Sequence, residues 1–564
     1  MKEQPLWDVA PGFDFLEDMD MSDKDSWFFD GTHSLPLMSP LYLWYWSRCC
    51  RNGLRQLNEK LSIPTLRGHE IRVKYGSFYN TIDLVTDKEE IAAREVKFKE
   101  AMVPWIKDFD GLWESGKNEL LNMYEKIKAI EPSKASNNDL YHLHYDLLLA
   151  YIRMWEIHMD SMYASYFGWT LLEDLLKERF GISDSDPQFH DMMCGFDNKV
   201  FQVDRKLWEL GQQAIELGLA DIFIKNEGDK IISNIENTNN GKSWMADFKA
   251  FLDEEGWRMV SMNDFVDPYW LEDPSIPIDI VKKFISDSKS FNLDNIRKDL
   301  EKKREAAIAA LLEKVPLEER DLYRGLIGLA QKCASFSEEH DLYCELYIHA
   351  LMRRAYVEMG KRFAKSGTID RPDDVFMLNF DEIERCIVMP DPMDLRFIVN
   401  RRYAAREEYK QMEIPPVITK RSSMEEAVFL DMAPSRDPII MKIVMGDLPV
   451  PKPELKADLF GTCGSAGVAE GIARVVLGYQ DLKQVKPGEI VVCHGTNPAW
   501  TQIFGIIKGI ISDRGGALSH AAIVGREFAV PVIVNTFKGS SVIKTGQRIK
   551  MDASQGAVYI LDKQ

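Results

Sequence analysis

The sequence changes character near residue 450, and this change constrains the fold more than any other feature of the chain. Upstream, segments such as 139–180 repeat apolar side chains every three or four positions with charged residues between them, which indicates amphipathic helices. Downstream, short Val- and Ile-rich runs are bounded by Gly, Pro, Asn or Asp, as β-strands are. The sequence therefore predicts a mainly α-helical region followed by a compact α+β domain.

A proline-rich segment marks the boundary between these regions. Residues 446–456 place three prolines within five positions, a pattern typical of an extended, semi-rigid spacer, although an ordinary surface loop is the alternative. We therefore predict a multidomain chain, with a mainly helical domain over 1–445, a Pro-rich linker over 446–459 and a compact α+β domain over 460–564.

Individual elements can be predicted on both sides of the linker. Upstream, two more helices are expected over 297–332 and 336–366, whereas the first 80 residues are less regular. Downstream, one short helix is expected after Asn497-Pro498 and another from about Ser519 to Phe528. The predicted strands of the last domain lie within residues 471–478, 489–495, 504–512, 530–535 and 548–561.

Charge and cysteine usage exclude several classes of function. A net charge of -19 argues against a nucleic-acid binder or an anionic membrane surface, because phosphate contacts need clustered Lys and Arg. The eight cysteines form no CxxC pair, so no metal site is predicted. The acidic start of the chain does not resemble a signal peptide, and no apolar run approaches the roughly 20 residues of a membrane span. We expect a cytoplasmic protein that binds neither nucleic acid nor membrane.

The segment 512–531 carries the residues that point to chemistry. Gly515 and Gly516 follow a predicted strand and allow a turn with positive φ, and Ser519 can cap the next helix. His520 then lies in the first helical turn, where free N–H groups favour a phosphoryl group. A neutral imidazole is a competent nucleophile toward phosphorus. From the residues alone, a capping or surface histidine is the more common alternative.

This segment resembles a known signature. The stretch Gly515–Val524, followed by Arg526-Glu527 and Val530-Pro531, is similar to the signature of the mobile domain of phosphoenolpyruvate-utilising enzymes. Residues 464–475 and 496–501 resemble two further segments of that domain in the same order. The resemblance therefore covers the whole of the region after the linker. It implies that 460–564 is a mobile phosphohistidine domain that swivels on the linker 446–459, and that 1–445 is the acceptor-substrate domain.

The resemblance implies that His520 carries the phosphoryl group and that Gly515, Gly516 and Ser519 form its catalytic loop. Leu518 stands where dikinases tend to have Thr, which is closer to the rifampicin phosphotransferase and phenylphosphate synthase branch. No segment after the mobile domain resembles the phosphoenolpyruvate-binding barrel of dikinases, so we do not expect a pyruvate or phosphoenolpyruvate substrate.

The upstream region is similar to the acceptor-substrate domain of the same branch. Residues 30–40, which begin Asp-Gly-Thr-His and include Pro36, resemble its start, and residues 336–385 resemble its end. An Arg-Glu-x-x-Lys pattern of those phosphotransferases corresponds to residues 338–342, where only Glu339 is retained. The resemblance implies that Glu339, His340 and His33 bind substrate.

The same region offers candidates for the base that takes a proton from an acceptor hydroxyl. If residues 336–366 form one helix, Glu338, Asp341 and Glu345 share a face, as do Glu345 and His349. A solvated acidic face with a satisfied histidine is the alternative interpretation.

The resemblance also implies a partner. Complete enzymes of this branch have an ATP-grasp domain before the acceptor domain, and no segment here resembles one. The Gly241-Lys242-Ser243 triplet has Glu236 where a phosphate-binding loop needs its first Gly. We expect a separate ATP-grasp subunit to bind ATP with Mg²⁺ and to transfer the β-phosphoryl group to His520, with no tightly bound cofactor in this chain.

The expected acceptor is a hydroxyl of an aromatic small molecule, of phenol or benzylic type. Three alternatives stay open: a subunit of a rifampicin-like antibiotic phosphotransferase, a phosphocarrier that passes phosphate to another protein, and a regulatory relic without activity.

Overall fold

A computed structural model describes residues 19–31, 33–34, 37–261, 263–286, 292–389, 393–432, 437–482, 484–496 and 500–562 of the chain. Within these residues the strands are β1 (Ser26–Phe29), β2 (Leu66–Lys74), β3 (Ser77–Leu84), β4 (Val417–Thr419), β5 (Leu459–Phe460), β6 (Thr462–Ser465), β7 (Val468–Val476), β8 (Ile490–Cys493), β9 (Gly509–Ser512), β10 (Val532–Val534), β11 (Arg548–Asp552) and β12 (Ala557–Ile560).

The α-helices of the described residues are α1 (Pro40–Leu61), α2 (Lys88–Lys107), α3 (Phe109–Ala129), α4 (Asn137–Phe180), α5 (Pro187–Met192), α6 (Lys199–Glu216), α7 (Ala220–Lys225), α8 (Asp229–Glu236), α9 (Asn239–Glu255), α10 (Ser275–Ser286), α11 (Leu293–Glu313), α12 (Arg320–His340), α13 (Tyr347–Ser366), α14 (Phe380–Val388), α15 (Arg396–Gln411), α16 (Met424–Ala427), α17 (Pro438–Met445), α18 (Tyr479–Leu482), α19 (Thr501–Phe504), α20 (His520–Glu527) and α21 (Gly539–Val542). None of them is long and apolar enough to cross a membrane. The predicted order, a mainly helical region followed by an α+β domain, is confirmed.

The chain divides into two compact units. The first contains the described residues of Met1–Ala164, Asn263–Asp267 and Tyr343–Pro438, and the second those of Ser165–Met262, Pro268–Leu342 and Ile439–Gln564. The second unit thus combines the region after the linker with helices from the middle of the chain. The predicted domain boundaries at 445 and 460 stay a prediction.

The first unit contains a small sheet that the sequence interpretation did not include. Its strand order is β2-β3-β1-β4 and all its pairings are antiparallel. The β2–β3 hairpin turns at Tyr75 and Gly76, which have φ of 54° and 67°. A row of aromatic side chains on α1, including Tyr42, Trp44 and Tyr45, is fully buried beside it. Many aromatic residues in the described part of the first 80 positions are therefore core residues.

The second unit contains an eight-stranded sheet in the order β5-β12-β11-β7-β8-β9-β10-β6. The inner strands β7 to β10 pair in parallel, and the outer pairings are antiparallel. β8, β9 and β10 are buried along their whole length, as strands of a sheet covered on both faces are. Neighbouring residues alternate between two cores: Ile510 packs on the face of α20, and Ile511 packs on the opposite face with Met551.

Most predicted strands of this sheet are confirmed, with two corrections. The run 504–512 forms a strand only from Gly509, because Phe504 ends the short helix α19. The run 548–561 is an antiparallel pair, β11 and β12, that turns at Gly556 with φ of 65°. Asn497, Pro498 and Ala499 lie outside the described residues.

Two predicted helices are interrupted. The helix expected over 297–332 breaks after Glu313, because Pro316 cannot donate the backbone hydrogen bond of a helix interior. The helix expected over 336–366 contains a widened π-type segment, Asp341–Leu346, between α12 and α13. The α-helical spacing that placed Glu338 and Glu345 on one face does not hold across that segment, and this prediction was wrong.

Candidate active site

His520 lies among the loops at the carboxyl ends of the parallel strands in the sheet of the second unit. It is the first residue of α20 and follows β9, whose parallel neighbours are β8 and β10. Loops at the carboxyl ends of parallel strands converge, and sites form there. Gly515 has φ of 116°, and a Cβ at this position would lie 2.8 Å from Ser519 Oγ. The turn before His520 therefore requires glycine at 515, as predicted.

Ser519 takes the N-cap position of α20 but does not cap it with its side chain. Its backbone is extended, with φ of -74° and ψ of 153°, and its Oγ donates to the carbonyl oxygen of Gly516 at 2.8 Å. The predicted side-chain cap was wrong, because the turn at Gly515 brings the Gly516 carbonyl within reach of the hydroxyl. Ser519 instead closes the loop that positions His520.

The imidazole of His520 meets a buried carboxylate. Nδ1 of His520 lies 2.8 Å from Oε2 of Glu338 on α12, and the two side chains are 3% and 0% exposed. The ring of Phe504 packs against the imidazole edge-on, with centroids 6.1 Å apart. Nε2 of His520 has no hydrogen-bond partner among the described residues. The pair fixes one ring nitrogen and leaves the other available for chemistry.

Two further buried charges share this environment. Burial is the main reason that the pKa of Asp204 rises to about 7; Arg258 and His520 lower that pKa, and the carboxylate of Glu338 raises it further. The guanidinium of Arg258 lies over the Trp270 ring, 5.2 Å from its centroid. Sequence analysis missed both residues, although Asp204 lies on the otherwise apolar face of α6 and could have been noticed there.

We expect Asp204→Asn to stabilise the protein against heat at high pH only. The folded-state pKa of about 7 exceeds the ordinary value, so ionisation of Asp204 destabilises the fold fully above pH 7 and not at all below the ordinary value. Thermal unfolding should shift upward by at least about 3 °C at about pH 8.5 and by nothing near about pH 4. The exposed Asp221→Asn is the control, and equal shifts at both pH values would contradict the assignment.

The segment before the sheet is connected to the loop of His520 through a partly buried lysine, Lys442. Nζ of Lys442 lies 2.7 Å from Glu173 and 3.1 Å from Asp447, and it also binds Asp184. Burial disfavours the charge of Lys442, but these three carboxylates raise its pKa. Asp447 in turn accepts a hydrogen bond from the backbone N–H of Ala517 at 2.7 Å. The ion cluster therefore connects the predicted linker with both the helices and the loop before His520.

A second contact holds α20 against the helical part of the unit. The Glu527 carboxylate accepts hydrogen bonds from the backbone N–H groups of Gly195 and Phe196, each at 3.0 Å. Leu518 packs in an apolar cluster with Trp169 and Ala330. An apolar residue before the Ser-His pair is thus explained by this packing.

The three predicted substrate-binding residues fall in different surroundings. His340 stacks on Phe336, and its Nδ1 and Nε2 lie 3.2 Å from the Phe336 carbonyl oxygen and from Asp341. Glu339 is half-buried on α12, next to the residue that meets His520.

His33 belongs to the first unit, where its Nδ1 lies 2.9 Å from Asp30 and its ring lies 4.8 Å from that of Trp46. Burial opposes ionisation of Asp30, but the charge and hydrogen bonds of His33 lower its pKa. Thr32 and Pro36 lie outside the described residues. The substrate-binding roles of Glu339, His340 and His33 stay predictions.

Two segments of the chain match known protein families. Residues 485–556 match the family described as PEP-utilising enzyme, mobile domain, and residues 154–338 match the rifampicin phosphotransferase fourth domain. Both matched segments contribute to the pair formed by Glu338 and His520.

The chain is also similar to several curated proteins. The uncharacterized phosphotransferase YvkC of Bacillus subtilis is 25% identical over 73% of this chain and 48% of its own length. Chondramide synthase cmdD of Chondromyces crocatus is 27% identical over 99% of this chain and 14% of its own. A rifampicin phosphotransferase of Bacillus cereus is 24% identical over 59% of this chain and 36% of its own. The chain spans about half or less of the length of these relatives. Residues 485–556 are thus similar to the mobile domain of PEP-utilising enzymes, and residues 154–338 are similar to the fourth domain of rifampicin phosphotransferases.

Proposed function

We propose that this chain is the acceptor-binding and phosphohistidine part of an ATP-dependent phosphotransferase. The observation that carries the proposal is the geometry of His520, whose Nδ1 is held by Glu338 while Nε2 has no partner among the described residues. A ring nitrogen with a free lone pair is what phosphoryl transfer to histidine requires. The match to the mobile domain supports this assignment.

In the proposed reaction His520 acts twice. Nε2 first attacks the β-phosphorus of ATP, so that an N–P bond forms, the P–O bond to the AMP part breaks and a pyrophosphoryl group stays on the ring. Water then attacks the γ-phosphorus, the P–O bond between the β- and γ-phosphoryl groups breaks, and phosphate leaves while the β-phosphoryl group remains on Nε2. An acceptor hydroxyl then takes the phosphoryl group from Nε2 and loses its proton to a base. Because one side chain serves two separate sites, the mobile domain swings on residues 446–459 between them.

The proposal places nucleotide binding on a separate ATP-grasp subunit that holds ATP and Mg²⁺. The Gly241-Lys242-Ser243 triplet lies inside α9, whose N-terminus is capped by Thr238, and a Cβ at Gly241 would lie 2.0 Å from the Ile235 carbonyl oxygen. This helix does not form the glycine-rich loop that cradles phosphates.

The proposed acceptor is the hydroxyl of a phenol or benzylic alcohol. The proposal rests on the resemblance of the segment around His520 to the phenylphosphate synthase branch, in which an apolar residue such as Leu518 stands before the Ser-His pair. A second candidate acceptor is a macrocyclic antibiotic, because several relatives are named rifampicin phosphotransferases.

A labelling experiment tests this function. The chain is mixed with β-labelled ATP and a candidate ATP-grasp partner protein. We expect acid-labile, base-stable label on the chain, and we expect phenols or benzylic alcohols to remove it as a phosphate ester. Without the ATP-grasp protein we expect no label.

Removal of the label by macrocyclic antibiotics alone would favour the second candidate. Transfer only to another protein would identify a phosphocarrier. A chain that never takes up label under these conditions would contradict the proposal.

A further inference from the structure

Glu338 is a carboxylate in a place where water does not compensate its charge. Its side chain is 0% exposed, and Oε2 lies 2.8 Å from Nδ1 of His520. Burying a carboxylate without a partner is strongly unfavourable, so the contact with His520 compensates the burial of Glu338. Here the partner is the residue that carries the phosphoryl group in the proposed function.

The chemistry of the contact determines where the imidazole proton lies. An ionised carboxylate only accepts hydrogen bonds, so Nδ1 must donate and therefore carries the proton. In the neutral ring Nε2 then keeps its lone pair, and Nε2 is the nitrogen without a partner among the described residues. The Glu338 contact thus selects the tautomer that reacts through Nε2.

We propose that Glu338 is a positioning residue that keeps the proton on Nδ1 of His520, so that the phosphoryl group is carried on Nε2 and leaves from a protonated ring. This inference rests on the proposed function. It assigns a role to a residue that replaces Arg in the pattern that residues 338–342 resemble.

The proton balance explains the consequence for phosphoryl transfer. When the phosphoryl group moves to an oxygen of the acceptor or of water, the N–P bond breaks and its electron pair returns to Nε2. With the proton kept on Nδ1 by Glu338, the ring leaves as neutral imidazole. Without that proton the ring would have to leave as an imidazolate anion, which is a far poorer leaving group.

Other groups around the ring support this role. Asp204 on α6 interacts electrostatically with His520 and Glu338. Arg258, which follows α9, balances part of the charge of the Asp204 carboxylate. Arg526 on α20 also interacts with Glu338. Phe504 on α19 contacts the ring edge-on and restricts its rotation. The ring is therefore held in the orientation that points Nδ1 at Glu338.

The tautomer can be measured directly on the intact chain. The protein is labelled with ¹⁵N at histidine, and the His520 signals are assigned from their loss in His520→Gln. In the NMR spectra of the wild type near about pH 7.5 we expect Nδ1 to be protonated and Nε2 unprotonated. Glu338→Met removes the acceptor without leaving a charge, and we expect it to return the ring toward protonation at Nε2. Glu338→Gln keeps an acceptor oxygen and should retain the tautomer.

The matched control is Ser337→Ala, a buried neighbour whose hydroxyl donates to Cys333 within its own helix, and it should leave the tautomer unchanged. A wild-type ring protonated at Nε2, or a tautomer unaffected by Glu338→Met, would overturn the inference. This readout requires no phosphorylation, so it is separate from success or failure of the proposed function.

A second measurement follows the phosphoryl group. The chain is phosphorylated with phosphoramidate, a donor that needs no nucleotide, and loss of phosphate to water is followed by ³¹P NMR. We expect the half-life of the phosphohistidine to lengthen at least about 10-fold in Glu338→Met and less in Glu338→Gln. Equal half-lives in wild type and Glu338→Met would overturn the inference even if His520 is phosphorylated normally.

Discussion

His520→Gln is expected to abolish acid-labile labelling of the chain while leaving it folded. The imidazole is the only proposed carrier of the phosphoryl group, so its removal leaves no nucleophile for the first transfer. Glutamine is chosen because its amide donates a hydrogen bond to Glu338, whose side chain is 0% exposed. Alanine at this position would leave a buried carboxylate without a partner and would confuse loss of activity with loss of stability.

His494→Gln provides a matched control from the same domain. Its Nδ1 lies 2.9 Å from Asp513 and its side chain is 39% exposed, so it is far more accessible than His520. We expect this variant to take up label as the wild type does. Thermal unfolding of both variants checks the fold. Full labelling of His520→Gln would end the phosphohistidine proposal.

Local sequence signals were sufficient to predict the elements that carry His520. The strand before it, the glycine turn and the following helix are β9, Gly515 and α20, close to the predicted positions. Each of these features depends on residues within a few positions of one another. The β2–β3 hairpin also depends on neighbouring residues, namely its alternating side chains and the turn at Tyr75 and Gly76. It could therefore have been predicted from the sequence, but it was missed.

Contacts between distant segments could not be predicted in this way. Glu338 and His520 are 182 positions apart, and Ser26 pairs with Thr419 across the first unit. Such pairs depend on how separate elements pack, which periodicity does not encode. The sequence did identify the acidic cluster at 338–345, but the widened segment after α12 changed which side chains share a face. Glu338 was named only as a candidate base for the acceptor hydroxyl, and its contact with His520 was not predicted.

A disulfide lock is expected to separate the two half-reactions. Sγ of Cys463 on β6 lies 3.7 Å from Nδ1 of His190 on α5, so His190→Cys places two thiols at the contact between the sheet and the helices of the second unit. In this arrangement His520 is 3% exposed and does not reach a donor outside. We expect the oxidised variant to be loaded from ATP at least about 100-fold more slowly than the reduced form.

The second half-reaction should be spared by the same lock. If the variant is phosphorylated before oxidation, transfer to the acceptor is expected to proceed at the rate of the reduced protein, because we propose that this transfer takes place in the arrangement in which His520 meets Glu338. His190→Ser is the control, since it loses the 2.6 Å contact with the Asp184 carbonyl oxygen without forming a disulfide. Peptide mapping confirms the cross-link, and dithiothreitol should restore loading. Normal loading of a fully cross-linked sample would mean that the donor reaches His520 without movement of the mobile domain, and the proposed swing on residues 446–459 would then be wrong.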